Sequence, residues 1–243
     1  MAINTRKLVQ IVLAVAIVAA AARLFVIYRG RHAPPPKAAP APPLEADYYV
    51  YPRKLYAYDL NSARQLTKQP VWAREGYKYT FYPYDPRTRQ VDFRNEAGQL
   101  GPIEKLQIKD VISVPMPRAA FKAGEVRVAQ REVMAVFEKN GKTYAVPIGV
   151  EQGGNYTISA DEIFYIQDPL ELYKHWPRDV WDAIEQHRVI ADMSELQAAF
   201  AVGMGITEST QGDIKVVRYA NGGRPLKVTF AQGRAVSVTP ERS

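Results

Sequence analysis

The chain has 243 residues, 47% hydrophobic and 23% charged, which is apolar enough to build a folded core and too apolar for a disordered chain. It has no cysteine, so disulfides, zinc–thiolate and iron–sulfur centres, a cysteine nucleophile and a lipid-modified cysteine are excluded. Most of the net charge of +7 lies in residues 1–43, where Arg6, Lys7, Arg23, Arg29, Arg31 and Lys37 stand without one acid, while the rest holds 26 basic against 25 acidic side chains.

Residues 8–28 read LVQIVLAVAIVAAAARLFVIY, with Arg23 as the only charge. At 1.5 Å per residue these 21 positions reach about 31 Å, the thickness of bilayer hydrocarbon, which predicts a transmembrane helix with Leu8, Val12, Ala16, Ala20, Phe25 and Tyr28 as anchor positions. Arg23 can snorkel toward headgroups and Tyr28 suits an interface. A cleaved signal peptide is the competing reading, with Arg6 and Lys7 before the apolar run and Ala20-Ala21-Ala22 as the cleavage signal. The LFVIY after Arg23 is more than a signal peptide needs, and the retained span is preferred. The expected placement is a bacterial inner membrane, crossed once. Membrane lipid is then a partner through residues 8–28, and the basic charge belongs to the flanks of the span. No nucleic-acid partner is expected, because such binders gather positive charge on the folded surface that meets phosphate.

Residues 1–7 form a short tail, and 29–47 a Pro/Ala-rich linker expected to be extended polyproline II. The segment 48–168 reads as β-rich. Nine of the 15 tyrosines fall between Tyr48 and Tyr84. Within GYKYTFYP, Tyr77, Tyr79 and Phe81 alternate with Lys78, Thr80 and Tyr82, the period of a strand with one aromatic face. That face is either core and cross-strand pairing or an exposed patch for a partner. Tyr77, Tyr79, Phe81, Tyr82 and Trp176 are the candidate partner-binding residues. Strands are predicted at 89–94 and 106–114, with turns at Tyr84-Asp85-Pro86 and at 95–98, a spacing that suggests an SH3-like barrel or roll. Two further strands, 126–138 and 142–150, flank Asn140-Gly141, a type I′ hairpin signal. Gly153-Gly154-Asn155 turns into a strand over 157–166.

The segment 169–243 changes character. Pro177 opens a helix through His187 with Val180, Trp181 and Ile184 inward. A second helix starts at an Asp192–Glu195 capping box, buries Leu196, Ala199 and Phe200, and stops at Gly203 or Gly205. Three strands follow, at 214–219, 226–230 and 234–238, joined by Asn221-Gly222-Gly223 and Gln232-Gly233. The expected fold class is therefore α+β and β-rich: an N-terminal transmembrane helix, an SH3-like or β-roll region, and a helix–helix–three-strand module.

Met193-Ser194-Glu195-Leu196-Gln197, then Gly203, a strand ending in Tyr219, and LKVTFAQGRAVSV with Leu226, Val228, Phe230, Gly233 and Val236 make residues 180–240 resemble the SmpA/OmlA (BamE-like) module. Departures are Ala191-Asp192 for the glycine before Met193, Gly205-Ile206 for a Gly-Pro helix end, and Val217 for a tryptophan. The resemblance implies a cell-envelope scaffold domain that binds other proteins, with no catalytic residues to carry over, and a body on the periplasmic side.

The chemistry-bearing motifs are sparse. The histidines are His32, His175 and His187, with neither an H-E-x-x-H pair nor a triad around them. G-x-S-x-G, the P-loop and G-x-G-x-x-G do not occur, and Gly203-Met204-Gly205 follows a helix and reads as its stop. The acids of residues 151–171 read as a solvated face. No catalytic residue, cofactor or metal is therefore assigned. The expected function is a membrane-anchored, non-catalytic envelope scaffold or assembly protein that binds a protein partner. The alternative is an accessory subunit of a membrane complex, whose small residues Ala14, Ala16 and Ala19 to Ala22 would permit close helix packing.

Overall fold

The computed structural model describes residues 5–32, 50–76, 79–116 and 130–241, with side chains of the first helix described at 14–15 and 17–29. Beyond His32, the expected linker lies outside the described residues, as does Tyr77. The chain divides into two compact units, Met1–Glu45 and Ala46–Ser243.

The first unit contributes one helix, α1 (Thr5–His32), rich in Ala, Leu, Val and Ile. Its described side chains are all exposed. Among the described residues no helix is long and apolar enough to cross a membrane. The expected transmembrane helix and the single-pass inner-membrane placement are corrected accordingly. Of the six anchor positions, Ala20, Phe25 and Tyr28 are exposed on the helix, and the side chains of Leu8, Val12 and Ala16 lie outside the description.

The second unit is β-rich. In chain order it runs α2 (Leu60–Ala63), β1 (Val71–Ala73), β2 (Thr80–Asp85), β3 (Gln90–Val91), β4 (Gly98–Gln99), β5 (Lys105–Leu106), β6 (Ile108–Pro115), β7 (Gln130–Lys139), β8 (Lys142–Gln152) and β9 (Asn155–Ile158). There follow α3 (Ala160–Ile163), β10 (Phe164–Tyr165), α4 (Pro169–Leu172), α5 (Arg178–Glu185), α6 (Glu195–Val202), β11 (Ile206–Gln211), β12 (Ile214–Tyr219), β13 (Leu226–Ala231) and β14 (Arg234–Pro240). Three sheets result: a seven-stranded sheet ordered β3-β2-β8-β7-β6 with β4 beside β2 and β9 beside β8, a three-stranded β10-β1-β5, and a four-stranded meander β11-β12-β13-β14. They replace the expected SH3-like region and three-stranded C-terminal sheet. The added strand β11 is exposed along its whole length, so it lacks the alternation that marks a half-buried strand.

Turn chemistry explains the hairpins. Asn140 and Gly141 sit at φ 54° and 73°, and Gln232 and Gly233 at 51° and 77°, the left-handed pair that matches strand twist in a type I′ turn. The expected strand over 157–166 is instead β9, α3 and β10, because Ser159 begins a helical turn and Phe164 resumes extended backbone. Gly149 of β8 is a close-approach position: a Cβ there would lie 2.2 Å from the Thr157 carbonyl oxygen.

In the C-terminal part, Leu226, Val228 and Phe230 alternate inward from β13, with Val217 and Tyr219 beside them from β12. They share a core with α6, whose residues 197–202 are all buried. The capping box forms two residues later than expected. Ser194 Oγ accepts from the Gln197 N–H at 3.2 Å, and Gln197 Oε1 accepts from the Ser194 N–H at 2.8 Å. Asp192 stands at φ 68°, a left-handed backbone that an N-cap does not adopt.

The seven-stranded sheet is apolar on both faces. Phe81, Val111, Val133, Ala135, Phe137, Val146 and Ile148 join one buried cluster; Ile112, Val114, Met134, Val136 and Ala145 form another with Tyr82, Tyr84, Val91 and Phe93 against it. Glu132 of β7 is half-buried, and burial pushes its carboxyl above the ordinary carboxylate range. A raised folded-state pKa favours the native state below the unfolded value, and that contribution is lost as pH rises through the folded value.

Three outcomes follow for unfolding measurements. Ser194→Ala should lower stability by ~1 kcal/mol through loss of the cap. Gly149→Ala should cost at least ~2 kcal/mol, since its two nearest neighbours are backbone atoms that cannot swing aside. Glu132→Gln should be more stable than the parent chain at neutral pH, with the difference vanishing below the ordinary carboxylate range; an advantage that persists in acid would contradict the titration.

Candidate functional site

Tyr165, Tyr173, Trp176 and Phe200 meet where the β-rich part joins the helices. Phe200 of α6 lies edge-on to Tyr173 at 5.0 Å and to Trp176 at 4.9 Å, with Tyr165 at 6.0 Å and Trp181 at 6.3 Å. The Tyr173 and Trp176 rings lie 4.5 Å apart, tilted by 31°. Such pairs are worth ~0.5–1.5 kcal/mol each beyond the area they bury. The Tyr165 hydroxyl donates to Glu75 Oε2 at 2.8 Å, and the Arg74 guanidinium lies 4.4 Å above its ring. Burial, with the Glu75 charge second, drives the Tyr165 phenol far above its ordinary value, so it stays a protonated donor.

This cluster props up two walls of a cleft of about 380 Å³. One wall holds Trp72, in the middle of β1 and 9% exposed. The other holds Trp181 and Ile184 of α5, with His187 just beyond its end. Pro102 and Ile103 on the β side and Leu170 of α4 complete the apolar lining. Glu104, Asp168 and Glu185 add carboxylates. Trp181 is partly exposed, yet its indole Nε1–H is buried with no acceptor among the described residues, a condition that costs ~1–3 kcal/mol.

Two lining residues hold backbone conformations that favour glycine. Gly101-Pro102-Ile103-Glu104 forms a turn closed by the Glu104 N–H to the Gly101 carbonyl at 3.3 Å, with Ile103 at φ 59°. A type II turn wants glycine there, and a β-branched residue in that position is a strained outlier. His187 follows α5 at φ 51°. Its N–H donates to the Ile184 carbonyl at 3.0 Å, and the Arg188 N–H to the Ala183 carbonyl at 2.9 Å. That is a Schellman ending with histidine where glycine is usual. His187 Nδ1 is held 3.1 Å from the Ala201 carbonyl oxygen, which ties α5 to α6.

The carboxylates do not converge as a catalytic set. Glu104 accepts from Lys139 Nζ at 2.6 Å and from the Gly101 N–H at 3.0 Å. Asp168 Oδ1 accepts from the Leu170 N–H at 2.9 Å as the cap of α4. Among the described residues no group of three or more His, Asp or Glu could hold a metal. Elsewhere Ser113 Oγ takes a hydrogen bond from Arg131 Nε at 2.8 Å and donates one to Glu151. These three sit on β6, β7 and β8, and with no histidine in the set this is a cross-strand tie.

The sequence-predicted aromatics are spread apart. Phe81 is core, edge-on to Phe137 at 5.4 Å and Tyr144 at 5.0 Å. Tyr82 falls on the opposite face of the sheet, 5.3 Å from Phe93. Tyr79 is half-buried and its hydroxyl donates to the Glu162 carbonyl at 2.9 Å. Trp176 is 5% exposed, inside the ring cluster. Among the described residues of the second unit, the tyrosines that face solvent are Tyr51, Tyr56 and Tyr58, at 81%, 65% and 77% exposure. For Tyr56 and Tyr58 the signal is in the sequence: Leu55 and Ala57 alternate with them and turn inward.

Trp176→Ala should therefore cost ~3–5 kcal/mol of stability, whereas Tyr56→Ala and Tyr58→Ala should each stay within ~0.5 kcal/mol by thermal unfolding. No family model, curated protein or solved structure matches this chain.

Proposed function

We propose that the protein is a non-catalytic scaffold that binds a protein partner in the Trp72–Trp181 cleft. The observation that carries this reading is the strain on the cleft walls. Ile103 and His187 both occupy left-handed backbone at positions where glycine would be relaxed. Residues in such conformations cost ~1–3 kcal/mol and gather where a surface is shaped for use rather than for stability. The volume of about 380 Å³ is at the small end for ligand sites, room for one or two side chains. Tryptophan is among the side chains that most often dominate protein recognition.

The C-terminal helices and the β12–β13–β14 meander support an SmpA/OmlA-like module within this reading, since Leu226, Val228 and Phe230 face the helices and Gly233 makes the turn. The exposed Tyr51, Tyr56 and Tyr58 offer a second contact strip.

The test uses the full chain. Ile103→Gly relieves the strained turn and removes part of the apolar lining, so strain relief offsets some of the packing lost with the side chain. A partner captured by the parent chain from its native source should be lost by this variant and by Leu170→Glu. Retention of that partner at parental strength by both variants would sink the proposal.

A further inference from the structure

The cleft has an electrostatic character that its shape alone does not convey. Glu104, Asp168 and Glu185 line it, against one histidine. Glu104 is engaged by Lys139, and Asp168 by the α4 cap. Glu185 is exposed and enters no ion pair among the described residues. It also sits in the last turn of α5, a turn without a basic residue, where the helix macrodipole is negative and a carboxylate is disfavoured. A cation beside Glu185 would face the carboxylate and the negative end of the helix together.

The aromatic walls favour the same class of ligand. Tryptophan has the strongest ring quadrupole for holding a cation over its face. Lys105 Nζ already lies 5.3 Å from the Trp72 ring centroid; Trp181 has no such cation within the structure's described residues. Pro102, Ile103 and Leu170 supply apolar surface for an aliphatic stem. Meanwhile the Trp181 Nε1–H lacks an acceptor among the described residues.

We propose that the cleft receives an arginine or lysine side chain of the partner protein, its charge against Glu185 and Trp181 and its stem along Ile103 and Leu170. This rests on the reading of the cleft as the partner site and names the chemistry of what enters it. A negatively charged or purely apolar anchor is the competing occupant; the first would meet the lining carboxylates, and the second would leave Glu185 without a counter-charge.

The experiment titrates the full-length protein with N-acetyl-arginine methylamide and, separately, with the neutral isostere N-acetyl-citrulline methylamide, following the indole N–H resonances. Trp181→Phe identifies the Trp181 signal by its disappearance. The expected result is a saturable shift of that signal with the arginine probe, at least ~10-fold weaker with citrulline and ~10-fold weaker in Glu185→Gln, the size of one charge-assisted hydrogen bond. Equal binding of the two probes would overturn the cationic assignment and leave the cleft reading standing. Absence of saturation with both probes would also overturn the cationic assignment; the cleft reading then stands or falls on whether Ile103→Gly and Leu170→Glu keep the partner. A Glu185→Gln variant that binds the arginine probe at parental strength would remove Glu185 from the account.

Discussion

The ring cluster centred on Phe200 is the constraint on which the rest of this body depends. Phe200 belongs to α6, its neighbours Tyr173, Trp176 and Trp181 to the segment before it, and Tyr165 to β10. The buried core that contains them runs from Trp72 in β1 to Ala235 in β14. One set of aromatic contacts therefore fixes α5 against the β-rich part and α6 over the meander. Because rings of this kind pack with definite edge-to-face geometry, they set distance as well as adhesion. The two tryptophans of the cleft, Trp72 and Trp181, belong to or abut the same core, so the shape of the recognition surface is a consequence of core packing rather than of loops.

That dependence explains why strain survives at the rim. Ile103 packs against the aromatic core, and His187 is held to Ala201 of α6. A neighbouring rigid cluster can over-determine a backbone conformation that an isolated turn would abandon. The stability for this comes from Phe200 and its partners, while the usable surface lies one layer outward at Ile103, Leu170, Trp181 and Glu185. Glu185 at the negative end of α5 is disfavoured in the same sense. Strained backbone, an orphan indole N–H and an ill-placed charge thus share one concavity.

Much of the secondary structure was legible in the sequence because it rests on local rules. Asn140-Gly141 and Gln232-Gly233 mark hairpins since few residues tolerate positive φ, and α5 follows from Pro177 and the spacing of Val180 and Ile184. Strand β11 was not legible: its TESTQ stretch is exposed on both sides and has no period to read. The capping box was misplaced because Asp192 and Ser194 are both good caps and only the backbone at Asp192 decides between them. The alternation of Phe81 with Tyr82 is legible in the sequence, but period alone cannot say that both faces of the sheet are covered. The long apolar N-terminal pattern gave a helix, and its extent as a membrane span did not survive. The cleft could not be foreseen at all, since Trp72, Ile103, Trp181 and His187 are far apart in sequence and left-handed conformation at an isoleucine has no sequence signature.

The most direct test of the central claim, that the surface shaped by the Phe200 cluster is where a partner docks, is amide hydrogen exchange on the full chain with and without its captured partner. The account predicts slowed exchange over 101–105, 168–172 and 181–188, with no comparable change in the exposed strands β11 and β14. Protection concentrated in those two strands, with the cleft segments unchanged, would contradict it.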